Sequence, residues 1–97
     1  MYAVIFRAEI NNLDSSYTEL SSRMRDLAIN QYDCNEFVAT TEGNYEIAIS
    51  YWDNLEQIKL WKQDAEHLVA QELGKSKWYS FYKIQIVEVI REYSKNT

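Results

Sequence analysis

The chain of 97 residues has no proline, two glycines, one cysteine and one histidine. Each scarcity removes an option. Without proline or a low-complexity tract there is no linker, and no repeat period marks a solenoid, so one domain over 1–97 is expected. A single thiol, Cys34, excludes an internal disulfide framework and suits a reducing compartment, which makes the cytoplasm the expected location. One histidine and one cysteine make no zinc or haem-iron constellation, so no metal is expected. Bases are also few. Ten Lys and Arg against fifteen Asp and Glu leave a net charge of −5, which argues against a nucleic-acid partner held through phosphates. No apolar run approaches the ~20 residues that cross a bilayer, and Met1-Tyr2-Ala3-Val4 lacks a signal peptide's basic start, so no membrane partner is expected. There is no glycine-rich phosphate loop and no G-x-S-x-G elbow, so neither usual nucleotide binding nor serine hydrolysis has local support.

What is present is a globular composition, 46% apolar and 14% aromatic, in which the hydrophobic period switches from two to 3.6 and back, twice. Tyr2, Val4, Phe6, Ala8 and Ile10 alternate with Ala3, Ile5, Arg7 and Glu9 as a first strand. Asp14 or Ser16 can cap a helix over 15–31, with Ser16 and Glu19 matching a capping box. Tyr17, Leu20, Met24, Leu27 and Ala28 form its apolar stripe. Period two returns over 32–42, and Gly43-Asn44 reads as a type II′ hairpin. Tyr45, Ile47, Ile49 and Tyr51 then alternate with Glu46, Ala48, Ser50 and Trp52. Asp53 or Asn54 caps a second helix whose stripe is Leu55, Ile58, Trp61, Ala65 and Leu68, with Gly74 as its left-handed stop. Lys75 to Lys77 is a basic connector, and 78–93 reads as a long last strand. This order predicts an α+β, ferredoxin-like βαββαβ fold: a four-stranded antiparallel sheet with two helices on one face.

Two helices cover only one face of such a sheet, and a face that meets water should be polar. The last strand is apolar on both sides. One side carries Trp78, Tyr82, Ile84, Ile86 and Ile90, and the other Tyr79, Phe81, Val87, Val89 and Tyr93. A second copy of the chain packed against the uncovered face is the simplest closure, so a homodimer is expected.

Few residues offer chemistry. His67 lies at the edge of the second helix's apolar stripe, where either a pocket-lining or a half-buried structural histidine would stand. Trp52, Trp61 and Trp78 bracket that helix and could wall a flat aromatic ligand or simply fill the core. Cys34 has no feature that would activate it.

The run Tyr51-Trp52-Asp53-Asn54-Leu55-Glu56, then Trp61-Lys62, Glu66-His67-Leu68-Val69-Ala70-Gln71, Leu73-Gly74-Lys75, Trp78-Tyr79 and Tyr82, resembles the antibiotic biosynthesis monooxygenase domain. The likeness covers about 45–93. It implies a dimeric α+β barrel with a pocket between the helices and the sheet. Characterised members oxidise polycyclic phenols or quinols without metal or flavin, and others cleave haem. The haem-degrading pattern fits poorly, because the first strand has no asparagine and only Trp61 falls in place. The resemblance thus implies a cofactor-independent monooxygenase acting on a small aromatic or hydrophobic molecule. Trp61 with Phe6 or Tyr82 would form the walls, and His67 would polarise or deprotonate the substrate. A non-catalytic ligand-binding dimer, or a dimer with a filled core, are the competing readings.

Overall fold

A computed structural model describes residues 1–11, 15–73 and 79–96, and for 15, 16 and 69–73 the backbone alone. Its elements are β1 (Tyr2–Ile10), α1 (Ser15–Gln31), β2 (Glu36–Glu42), β3 (Tyr45–Trp52), α2 (Leu55–Leu73) and β4 (Tyr79–Glu88). The strands form one antiparallel sheet in the order β2-β3-β1-β4. This is the ferredoxin-like α+β arrangement expected from the period changes.

Local chemistry accounts for the boundaries. Asn54 caps α2, its Oδ1 accepting from the Gln57 N–H at 2.9 Å, one of the donors the first turn leaves unpaired. The caps expected at Asp14 and Ser16, the stop at Gly74 and the basic connector lie outside the described residues. α1 ends where Asp33 adopts a left-handed φ of 58°, a conformation that aspartate tolerates better than most residues. The second strand therefore starts at Glu36 rather than Tyr32. In the β2–β3 hairpin Glu42 pairs with Tyr45, and positive φ is confined to Gly43 (62°) within the turn, as a type II′ turn requires.

Register fixes which side chains share a face. Val4 pairs with Ser50, Phe6 with Ala48 and Ala8 with Glu46, so these six project to the helix side together. There Val4, Ala28, Cys34, Trp52 and Ile58 form one buried cluster, and Ala8, Ile10, Tyr17 and Leu20 form another. The α1 stripe is buried or half-buried as its spacing predicts. In α2 the exception is Leu55, which is exposed. Tyr32 on α1's C-terminal side hydrogen-bonds Asp64 of α2 and ties the helices together.

Two expectations for the last strand need correcting. Glu88 pairs with Tyr2, the first residue of β1, and beyond it the Val89 N–H reaches the Met1 carbonyl at 3.0 Å. The ladder therefore stops at Glu88, not Tyr93, and Ile90 and Tyr93 are 89% and 82% exposed. The second correction concerns Tyr79. Strict alternation places it with Phe81 on the open face, but the register shifts at Glu9/Ile10, so that Glu9 pairs with Phe81 and Ile10 with Tyr79. One extra residue in the bulged strand reverses the facing of what precedes it. Tyr79 thus turns in toward the helices.

Candidate functional site

A cavity of about 110 Å³ lies between the helices and the sheet face beneath them. Its apolar walls are Phe6, Phe37, Ile58, Trp61, Ile84 and Ile86. Trp61 is held rigidly. Its indole N–H donates to the Met24 carbonyl of α1 at 3.0 Å. Its ring packs on Trp52 at 5.3 Å and meets the edge of Phe37 at 6.3 Å. Trp52 itself is fully buried, with its indole N–H bound to the Ser50 hydroxyl at 2.8 Å. Of the two tryptophans, Trp52 fills the core and Trp61 faces the cavity. Trp78 lies outside the described residues.

One part of the wall is polar. Glu46, only 6% exposed, lines the cavity together with Tyr17 and Tyr79. The Tyr17 hydroxyl donates to Glu46 Oε2. The Tyr17 and Tyr79 rings meet edge-on at 5.9 Å, and Tyr79 meets Phe6 at 5.7 Å in a similar geometry. Burial, reinforced by the hydrogen bond to Glu46, pushes the Tyr17 phenol far above its usual ionisation range. Burial also pushes Tyr79 up to about 12, against a lowering contribution from its hydrogen bond with Tyr17. Both phenols therefore remain protonated throughout the neutral range. The sequence reading missed this trio. Glu46 was hidden because it stands on the polar-looking side of β3, and Tyr79 because of the bulge.

The expected site residues separate. Phe6 and Trp61 line the cavity. Tyr82 is 60% exposed, stacked at a tilt on Phe6 at 6.4 Å and on Tyr79 at 5.7 Å. It stands outside the cavity wall, on the exposed β4 edge of the sheet. His67 does not reach the cavity. It is exposed, in a shallow surface depression with Gln63, Asp64 and Glu66. The reason is helical phase: six residues at about 100° each carry His67 some 240° from Trp61. Lys62 and Glu66 also border the cavity and pair with each other at its exposed margin. Among the described residues, no group of three or more His, Cys, Asp or Glu is placed to hold a metal ion. Nor is any described helix long and apolar enough to cross a membrane.

Known proteins give this geometry a context. The chain is 37% identical over 93 residues to the uncharacterized protein YqjZ of Bacillus subtilis, an alignment covering 94% of this chain and 81% of that protein. The chain belongs to that protein's family. No family model matches it. Among solved structures it is similar to SnoaB, a cofactor-independent oxygenase from Streptomyces nogalater. The TM-score is 0.77 at 9% identity, covering 97% of each chain. It is also similar to an antibiotic biosynthesis monooxygenase, with a TM-score of 0.62 at 13% identity, covering 94% of this chain and all of the other. The fold is that of the antibiotic biosynthesis monooxygenases.

Proposed function

We propose that the protein is a cofactor-independent monooxygenase that oxidises a small aromatic or quinol-type molecule with dioxygen, working as a cytoplasmic homodimer. The observation that carries this reading is the cavity itself, in which aromatic walls on two sides meet a buried carboxyl and two protonated phenols. Flat, electron-rich rings pack well against Phe6, Phe37 and Trp61. The polar wall supplies orientation, which a purely apolar hole would lack. At about 110 Å³ the space suits one ring more than several, since pockets for drug-sized ligands start near 300 Å³. No external reductant is needed for such chemistry. A hydroquinone supplies the electrons itself: one oxygen atom of O2 enters a ring C–H as a hydroxyl, the quinol becomes a quinone, and its two O–H hydrogens leave with the other atom as water.

The dimer is supported by the open sheet face. Ile47 is 41% exposed there, and Val38, Tyr45, Phe81 and Val87 are also exposed. An apolar surface of this extent on one face marks an interaction site, and a copy of the same face is a self-complementary partner. In this reading Trp61 and Phe6 are pocket walls, Tyr82 stands at the mouth, and His67 carries no proton transfer.

Oxygen uptake with a panel of single-ring and fused-ring hydroquinones, with and without chelator, tests the function. Substrate-dependent uptake that survives chelation supports it. Uptake no faster than the uncatalysed blank across the panel rejects it and favours a non-catalytic binding dimer.

A further inference from the structure

We infer that Glu46 is the group that receives the hydroxyl of the bound aromatic molecule, with Tyr17 as the positioning residue that fixes its carboxyl. The inference rests on the reading of the cavity as a small-ligand site and names the chemistry that site selects.

Burying a carboxyl on a mostly apolar sheet face is costly unless its lone pairs are met. Tyr17 meets one of them, through Oε2. A carboxylate has about four acceptor positions, so its capacity is not exhausted by one phenol. The helix side of the sheet shows what the site could have held instead. Ala8 pairs with Glu46 directly, and Ala48 lies two residues along the same face. A small or aliphatic residue at 46 would continue that pattern without any desolvation cost. Glu46 therefore pays a stability penalty that packing does not require, at a wall of the cavity.

The other polar groups at the cavity do not compete for the role. Lys62 and Glu66 pair with each other at the exposed margin. The Tyr17 and Tyr79 phenols are held protonated, so Tyr17 stays a donor toward Glu46 across the neutral range. A fixed donor on one oxygen orients the carboxyl and leaves it an acceptor toward anything else that enters. An acceptor in an aromatic-walled space selects a flat molecule with an O–H to donate, and disfavours its ether and its anion.

The test compares three single-ring probes: p-cresol, and two that are one heavy atom larger, its methyl ether 4-methylanisole and 4-methylbenzylamine. Binding is followed by quenching of tryptophan fluorescence. Wild-type protein should bind p-cresol about tenfold more tightly than the ether, the upper scale of one net hydrogen bond. The double variant Tyr17→Phe/Glu46→Leu removes both partners of the existing bond, and its fold is checked by circular dichroism because Tyr79 loses its contact with the Tyr17 hydroxyl. It should bind p-cresol and the ether within about twofold of each other. Equal binding of these two by the wild type overturns the inference and leaves the cavity reading standing. Binding of no probe overturns both. A cresol preference that survives in the double variant shows that Glu46 is not its source. Tighter binding of the amine than of p-cresol reassigns the carboxyl to a cation and likewise overturns the proposal.

Discussion

The two faces of strand β3 run against the usual rule. Toward the helices it presents Glu46, Ala48, Ser50 and Trp52, all buried, while toward the open side it presents Tyr45, Ile47, Ile49 and Tyr51, exposed or half-buried. Trp52 apart, the small and polar residues are inside and the large apolar ones are outside. On an ordinary half-covered sheet the alternation points the other way. The inversion teaches that the two faces answer different demands. Small residues on the covered side leave room for a cavity, with one carboxyl in its wall. The apolar side is suited to the second copy of the chain proposed above.

That contrast can be broken in several ways, and the largest effect should come from the covered face. Trp52→Ala removes a fully buried indole together with the support it gives Trp61. It should cost about 3–5 kcal/mol of stability, read as the shift in a urea unfolding midpoint. A loss below about 1 kcal/mol would mean the face is loosely packed. On the open face, Ile47→Glu should leave the monomer's fold intact but halve the mass seen by sedimentation at micromolar concentration. A charge placed in the centre of an apolar contact typically costs several kcal/mol of association. Unchanged mass, whether dimeric or monomeric in both proteins, would remove the explanation offered for the inverted strand.

A smaller effect appears at high pH. Burial raises Tyr79 to about 12 from an ordinary 10, so below pH 10 the phenol is neutral in both folded and unfolded chains. Its contribution is then fully present. Between pH 10 and 12 the unfolded chain releases a proton that the folded chain retains, and stability falls as pH rises. Tyr17, raised in the same direction, adds to the slope. Urea midpoints at pH 8 and pH 11 should differ, and Tyr79→Phe should flatten that difference by up to about 1.4 kcal/mol. The smallest effect belongs to the exposed outer side of α2. His67→Ala should change stability by less than about 0.5 kcal/mol and leave any quinol turnover unaltered. A loss of turnover would restore the histidine to the mechanism.

These contrasts also explain what could be read in advance. The strand and helix order followed from Val4, Phe6 and Ala8 at period two and from Tyr17, Leu20 and Met24 at period 3.6, because burial imposes those periods directly. The phase of His67 could also be read, since Trp61, Ala65 and Leu68 span about 60° of the helix and His67 lies well outside that arc, although its neighbour Leu68 made it look like the stripe's edge. Glu46 was not legible. Alternation shows that two faces differ but not which is covered, and the apolar side of β3 is the wrong guide. Tyr79 was hidden for another reason: the bulge depends on how β4 docks beside Glu9 and Ile10, and no local signal marks it. The end of β4 at Glu88 likewise follows from its partner strand, not from the continued β-forming residues beyond it.

The buried thiol has a practical use. Cys34 is buried between α1 and β2, its Sγ within 3.2 Å of the Glu36 carbonyl and 3.4 Å of the Tyr51 carbonyl. Burial pushes the thiol's pKa up, and those two bonds oppose the rise only in part. Maleimide should therefore meet a silent protein until the edge strand lifts away. The rate of alkylation then becomes a clock for local opening of β2, measurable without introducing any label site.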